Sequence, residues 1–160
     1  MAHTSVIWVH GNAVEPEQTE SLMLFVRKGW GAQCKGLSGT THWFHFPICS
    51  PSVLEGSPMY LSKVYLMYNT MPGGKVELQP IITGVHVYDG RTLAMSFDDL
   101  TLSGPHDDAI GPQNTLVINP VLRIANGLGL SVGVRFPQRE SDESISYDIL
   151  FTAAGAEFAS

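Results

Sequence analysis

The decapeptide GLGLSVGVRF, residues 127–136, decides the fold of this chain. Every second position in it is apolar, from Leu128 to Phe136, with glycine, serine or arginine between. In a β-strand successive side chains point to opposite faces, so this pattern gives one apolar face and one small or polar face. A helix would spread the same apolar side chains around its axis, and glycine is among the poorest helix formers. Residues 127–136 therefore predict a β-strand with one face in a hydrophobic core.

The same alternation recurs along most of the sequence, between turns rich in glycine and proline. Strand-like patterns also cover residues 5–10, 23–28, 42–47, 63–68, 85–88, 92–97, 100–103, 115–119 and 145–152. Asp89-Gly90 predicts a tight hairpin turn between two of these strands, and residues 17–22 hold the one helical turn that we expect. Nine to eleven short strands at this spacing predict an antiparallel β-sandwich of jelly-roll type, a single domain spanning residues 1–160.

The charge of the chain argues against nucleic acids and anionic lipid membranes as partners. The net charge is -6, and the nine lysines and arginines are scattered, with Arg27-Lys28 as the longest basic run. Proteins that bind nucleic acid usually carry a basic patch, and polybasic segments attract anionic lipids. We therefore expect no nucleic acid partner. No segment is apolar for long enough to insert into a membrane or to form a signal peptide, which predicts a cytoplasmic protein.

Charged residues are scarce in this chain. They make up 15% of it, against about 25% in an average globular protein. Large buried faces would explain the scarcity, and one of them would be a subunit interface in a homo-oligomer. A surface rich in threonine, serine and glycine would explain it equally well, so both interpretations stay open.

The two cysteines, Cys34 and Cys49, do not make a disulfide framework in a chain of this length. We expect two reduced thiols, because free cysteine behaves as a small buried hydrophobic residue. A bridge between the two is the alternative.

Histidine is the side chain that titrates nearest to neutral pH, and a nearby carboxylate can orient it for acid–base chemistry. His10, His45, His86 and Asp89 are the candidate catalytic residues on this ground. His42 and His45 lie three apart on one predicted strand, so they point to opposite faces and cannot bind one metal ion together. Separate histidines on strand ends and surfaces are the alternative.

Two pairs of aspartates bracket a short predicted strand and a Gly-Pro turn. Clustered carboxylates in loops are ligands that calcium prefers, which makes Asp98, Asp99, Asp107 and Asp108 a candidate calcium site. The spacing of an EF-hand is absent, and ordinary turn residues are the alternative. No other cofactor is predicted.

Aromatic residues are concentrated in the first third of the chain. Trp30, Trp43 and Phe44 are the candidate ligand-binding residues, because aromatic rings on an open β-sheet can stack on sugar rings and other flat ligands. The alternative is that these rings fill the core or a protein interface.

Several segments together are similar to one known family. They are 29–31 (GWG), 38–40 (SGT), 43–47 (WFHFP), 85–90 (VHVYDG), 102–104 (LSG), 127–134 (GLGLSVGV) and 154–158 (AGAEF). In this order, from about Trp30 to Phe158, the chain resembles a family of small uncharacterised bacterial β-proteins, a domain of unknown function. The resemblance implies a bacterial β-domain and carries no catalytic residue with it.

Three functions follow from these residues. The first is a non-catalytic binding or self-assembly domain, whose partners would be a second copy of the chain and a small molecule or carbohydrate. The second is a small acid–base enzyme of lyase, isomerase or cyclase type, with a histidine–aspartate cleft in the sandwich. The third is a calcium-dependent binding module. The absence of a nucleophile–base motif favours the first.

Overall fold

A computed structural model describes residues 3–72, 78–138 and 147–160. In these ranges the chain forms fourteen strands, arranged as two antiparallel sheets and a small hairpin. Four of the strands have only two residues, which leaves ten longer ones, within the nine to eleven expected from the sequence. The only helices among the described residues are three short 3-10 turns, at Gly11–Ala13, Thr19–Ser21 and Pro112–Asn114. The all-β prediction is confirmed.

The larger sheet has seven strands. They are β1 (Thr4–His10), β3 (Leu22–Lys28), β4 (Gly31–Gly36), β8 (Tyr60–Asn69), β11 (Pro105–His106), β12 (Thr115–Leu122) and β14 (Asp148–Ala159). Their order is β11-β8-β14-β4-β3, with β1 also paired to β14 and β12 also paired to β8. The long strand β14 therefore lies at the centre of this sheet.

The smaller sheet has five strands. They are β2 (Glu15–Pro16), β5 (Thr41–Ile48), β9 (Ile81–Asp89), β10 (Thr92–Phe97) and β13 (Leu128–Arg135). Their order is β10-β9-β13-β5-β2, so the strand predicted from residues 127–136 is the central one. The hairpin consists of β6 (Val53–Leu54) and β7 (Ser57–Pro58).

The core lies between the two sheets. Leu130, Val132 and Val134 of β13 are fully buried, as the alternating pattern predicted. Phe44 of the smaller sheet packs against Phe151 of the larger one, with ring centroids 5.3 Å apart. Both sheets thus contribute one face to a common core, as in a β-sandwich. The jelly-roll connectivity stays a prediction.

Three details differ from the sequence prediction. Residues 100–103 form no strand, and Leu102 makes only an isolated bridge to Ile82. β4 was missed, because the polar and glycine-rich sequence GAQCKG hides a strand whose buried residues include Cys34. The predicted strand at 145–152 begins outside the described residues, and within them β14 runs on to Ala159.

The two cysteines differ sharply in accessibility, although both are free. Cys34 is buried in β4, and desolvation, followed by the charge of Asp148, raises the pKa of its thiol well above its usual range. Cys49 is exposed. Because the thiolate is the reactive form, a thiol-specific reagent should modify Cys49 in the native protein and Cys34 only after unfolding. Intact-mass measurement before and after denaturation would test this, and two native modifications would contradict it.

No helix among the described residues is long and apolar enough to cross a membrane.

Candidate functional site

A row of polar side chains crosses the outer surface of the five-stranded sheet. His45 of β5 pairs with Ser131 of β13, and Ser131 pairs on its other side with His86 of β9. Glu15 extends the row at one end and Ser96 at the other. Because directly paired residues on antiparallel strands point to the same face, these side chains form one surface. We call it the histidine face.

His45 is held on both sides of its ring. Its Nδ1 atom lies 2.8 Å from the hydroxyl oxygen of Ser131. Its Nε2 atom lies 3.5 Å from a carboxylate oxygen of Glu17. The backbone of Glu17 is itself fixed, because its N–H donates to the carbonyl of Trp43 over 2.9 Å. The ring orientation of His45 is therefore set by its neighbours.

His86 has a carboxylate partner of its own. Its Nε2 atom lies 2.8 Å from Oδ1 of Asp98. Hydrogen bonds from His86 and then from Ser96 lower the pKa of the Asp98 carboxyl, so that this group stays ionised at neutral pH. His45 and His86 thus direct their Nε2 atoms to carboxylates on different segments of the chain.

Trp43 covers the neighbouring row of the same face, where two glycines stand in the paired strands. Gly133 pairs with Trp43 on one side and with Gly84 on the other. A Cβ atom added to Gly133 would lie 3.1 to 3.2 Å from three atoms of the indole six-membered ring, and one added to Gly84 would lie 3.2 Å from the Cη2 atom. Three nearly equal distances mean that the ring faces the sheet. The half-buried indole therefore rests on the glycines and lies 4.5 Å from the ring of His86.

Two open grooves lie on the histidine face, each with a volume of about 470 Å³. The tyrosine groove is lined by Tyr88, Pro47, Gly129, Ser131, His45 and Glu15, among others. The tryptophan groove is lined by Trp43, Thr41, Thr83, Asp98, Asp99 and Arg135, among others. The first is mainly apolar, whereas the second offers several charged and hydroxyl side chains.

Ser131, His45 and Glu17 have the side-chain types of a nucleophile, a base and a group that orients the base, but the strand around Ser131 does not suit acyl transfer. Such a reaction needs free N–H groups to stabilise an oxyanion. β13 is paired on both sides, so the N–H groups around Ser131 serve the sheet. Ser131 is moreover only 7% exposed. Its hydroxyl positions His45.

The structure brings together two of the four candidate catalytic residues, His45 and His86. His10 lies at the end of β1 in the other sheet, where its Nδ1 accepts a hydrogen bond from the N–H of Asn12. Asp89 accepts hydrogen bonds from the N–H groups of Ala125 and Asn126, at 3.0 and 2.6 Å, and so fixes a loop. His10 and Asp89 therefore have local structural roles outside the histidine face.

Of the three candidate ligand-binding residues, only Trp43 lies on the histidine face. Phe44 was wrongly placed among them: its side chain is fully buried against Phe151, because it is one position from Trp43 and points to the opposite side of β5. Trp30 is 41% exposed and lies in the turn between β3 and β4 of the larger sheet. The separation of His42 from His45 agrees with the sequence: His42 is buried, and desolvation lowers its pKa.

The four aspartates proposed for calcium do not form one cluster. Asp98 is engaged by His86, and Asp107 accepts a hydrogen bond of 3.3 Å from the side chain of Asn69. Asp99 occupies a left-handed turn position, with φ of 55°. Over the described ranges, no group of three or more His, Cys, Asp or Glu side chains could hold a metal ion.

The sequence did not reveal Glu17, Ser131 or Tyr88 as members of the face. Ser131 is the one hydroxyl side chain on the small face of residues 127–136, which is a signal that could have been read. That it stands between two histidines depends on the register of β5 and β9 against β13, which local sequence does not specify.

The outer surface of the seven-stranded sheet offers a close counterpart to Trp43. Trp8 of β1 pairs with Gly155, and its ring lies over that glycine. It also stacks on Tyr65, with ring centroids 5.4 Å apart. The hydroxyl of Tyr65 donates to Glu157, whose carboxylate also binds Lys63. The polar groups here are paired with one another, so a structural role is sufficient to explain this cluster.

Fold and site together define an antiparallel two-sheet β-protein with a histidine- and tryptophan-bearing face on its smaller sheet. The chain belongs to DUF6623, a family of unknown function, whose family model matches residues 2–160. This confirms the resemblance to an uncharacterised family, while a bacterial origin and a cytoplasmic location stay predictions. Comparisons with curated proteins and with solved structures each found no match.

Proposed function

We propose that this protein is a non-catalytic saccharide-binding domain and that the histidine face is its binding site. The observation that carries the proposal is the position of Trp43, whose ring rests on Gly133 and Gly84. One face of the indole is supported by the sheet, and the half-buried ring lines an open groove in which a ligand can reach it. Pyranose rings present a flat face of C–H groups, which packs well on such a platform.

The polar groups around Trp43 suit a ligand with many hydroxyl groups. Asp98 and Arg135 line the tryptophan groove and supply acceptors and donors, and Thr41 and Thr83 can do both. A small number of placed polar groups beside an apolar surface is the usual composition of a small-molecule site. Hydroxyl groups of a bound sugar would thus find donors and acceptors in the groove beside the stacked ring.

The same geometry favours binding over catalysis. Both grooves are open to solvent, whereas catalytic sites gain much of their electrostatic effect by excluding water. Each histidine of the face already has a carboxylate partner at the rim. His45 and His86 are therefore proposed to orient the carboxylates of Glu17 and Asp98, which accept hydrogen bonds from the ligand.

The test compares two tryptophan variants of the intact protein. Trp43→Ala removes the proposed platform, and Trp8→Ala removes the ring that lies over Gly155 on the other sheet. Both proteins and the wild type would be applied to a printed array of mono- and oligosaccharides, and each retained sugar would be titrated by calorimetry. We expect Trp43→Ala to weaken binding about tenfold or more, which is the loss of one aromatic stacking contact and its buried area.

Trp8→Ala should bind as the wild type does, and thermal melts of both variants would show that they are folded. Binding of no sugar by the wild type would refute the proposal, and so would equal binding by all three proteins. If a bound sugar were converted into product over hours, and His86→Ala abolished the conversion, the acid–base enzyme would replace the binding domain.

Self-association is a separate proposal that the scarcity of charge supports. Exposed apolar side chains stand on the outside of the larger sheet, among them Val6, Trp8 and Val117. Native mass spectrometry of the purified protein would give the number of chains in the particle directly, and a monomer at micromolar concentration would end this proposal.

A further inference from the structure

The outward side chains of β13 form a floor of small residues along the histidine face. From one end of the strand to the other, this face presents Gly129, Ser131, Gly133 and finally Arg135. The neighbouring strands carry larger groups: His45 and Pro47 on β5, His86 and Tyr88 on β9. A floor of small residues between two rows of larger ones makes a furrow along the strand, and the indole of Trp43 covers this floor at Gly133.

The two grooves lie at opposite ends of this furrow. The tyrosine groove is lined by Gly127 through Ser131, and the tryptophan groove reaches Arg135. At roughly 3.3 Å per residue, the six steps from Gly129 to Arg135 span about 20 Å. That length exceeds a single sugar ring several times over. Trp43 and His86 stand between the ends, with their ring centroids 4.5 Å apart.

The charges at the rim of the furrow favour some linear ligands of this length over others. Glu17 stands beside His45, while Asp98 and Asp99 line the tryptophan groove. Among the described residues that line the two grooves, Arg135 is the one lysine or arginine. A chain that carries carboxylates or sulfates would meet more negative than positive charge. Repulsion between like charges across a binding interface weakens the binding of such a ligand relative to a neutral one.

We infer that the tyrosine and tryptophan grooves are two subsites for one neutral, linear oligosaccharide that lies along β13. The inference rests on the proposed saccharide binding and adds to it the length, the direction and the charge of the ligand. In this arrangement one sugar unit stacks on Trp43, further units pass His86 and Ser131, and the chain ends against Tyr88. Hydroxyl groups along it meet Glu15 in the tyrosine groove and Asp98 and Arg135 in the tryptophan groove.

The experiment measures affinity against chain length. The probes are oligomers of one to four units of glucose, mannose, xylose and N-acetylglucosamine, together with a tetramer of galacturonic acid as the anionic control. For a neutral series that binds, we expect the tetramer to bind about tenfold or more tightly than the single sugar, because a second subsite adds its own contacts. The galacturonic acid tetramer should bind more weakly than the neutral tetramer.

Tyr88→Ala tests the distant subsite, and Tyr60→Ala, a half-buried tyrosine of the larger sheet, is its matched control. Tyr88→Ala should cut the affinity for the tetramer by about tenfold while leaving that for the single sugar unchanged. Tyr60→Ala should alter neither. A merely structural role of Tyr88 would weaken both ligands equally.

The outcomes separate the two proposals. If single sugars and tetramers bind equally at Trp43, the function stands and the two-subsite inference fails. If the anionic tetramer binds best, the inference fails on charge. If no sugar of any length binds, saccharide binding and the inference fall together.

Discussion

Leu130→Asp should leave the protein largely unfolded at room temperature. Leu130 is fully buried in the central strand of the smaller sheet. The substitution removes about 1.5–3 kcal/mol of apolar burial and puts a carboxylate where no partner exists, at a cost of several kcal/mol more. Together these losses approach the whole stability of a typical domain, about 5–15 kcal/mol. Far-ultraviolet circular dichroism during thermal and urea unfolding would measure the effect.

Leu93→Asp is the matched control, because it makes the same chemical change at a site that is 48% exposed on the edge strand β10. Exposed substitutions usually change stability by about 0.5 kcal/mol or less, so this variant should melt close to the wild type. A cooperative, native-like melt of Leu130→Asp would show that the face assigned to the core of β13 is wrong.

The burial of Leu130 could be predicted from sequence because the alternation of apolar and polar residues along a strand is visible without knowing which strands lie beside it. The side-chain period of a strand is two in any sheet, so residues 127–136 show which positions share a face. Their pattern also shows which face is apolar and must therefore be inside. The same reasoning failed for β4, whose buried positions are occupied by Gly31, Ala32, Cys34 and Gly36. Small side chains carry too little hydrophobic contrast to reveal a strand.

The residues of the candidate site were also predicted only in part from the sequence. Trp43 and Phe44 were proposed together as ligand-binding residues, yet adjacent strand residues point to opposite faces, and one of them had to be in the core. The alternation of β5 could have made that choice. Which strands flank β13 is a matter of topology, so the meeting of His45, Ser131 and His86 could not be read from local sequence.

Glycine plays two different parts in this protein. On the histidine face, Gly133 and Gly84 leave room for the indole of Trp43 to lie on the sheet, so their lack of a side chain shapes the surface. Between β3 and β4, glycines at 29 and 31 flank Trp30 in a turn. The sequence identifies Gly29 and Gly31 as turn residues, but only the structure shows that Gly31 is required there and that Gly29 can be replaced.

Gly31→Ala should therefore destabilise the protein by about 3–5 kcal/mol, from a steric clash and a strained backbone together. A Cβ atom at Gly31 would lie 2.0 Å from the carbonyl oxygen of Phe151, and the φ angle of Gly31 is +150°, where a side chain is strained. Relief would require moving β14, the central strand of the larger sheet, whose Phe151 packs against Phe44 and Phe46.

Gly29→Ala is the control in the same turn, because a Cβ atom there would meet nothing within 4 Å. The difference between the two variants then isolates the contact with β14 from any general effect of replacing glycine in a turn. For a chain of this length the loss at Gly31 corresponds to a melting temperature lower by roughly 10 °C, with Gly29→Ala nearly unchanged. Equal melting temperatures for the two variants would mean that the turn can move away from Phe151. The close packing of this turn on the central strand would then not be what holds β3 and β4 in place.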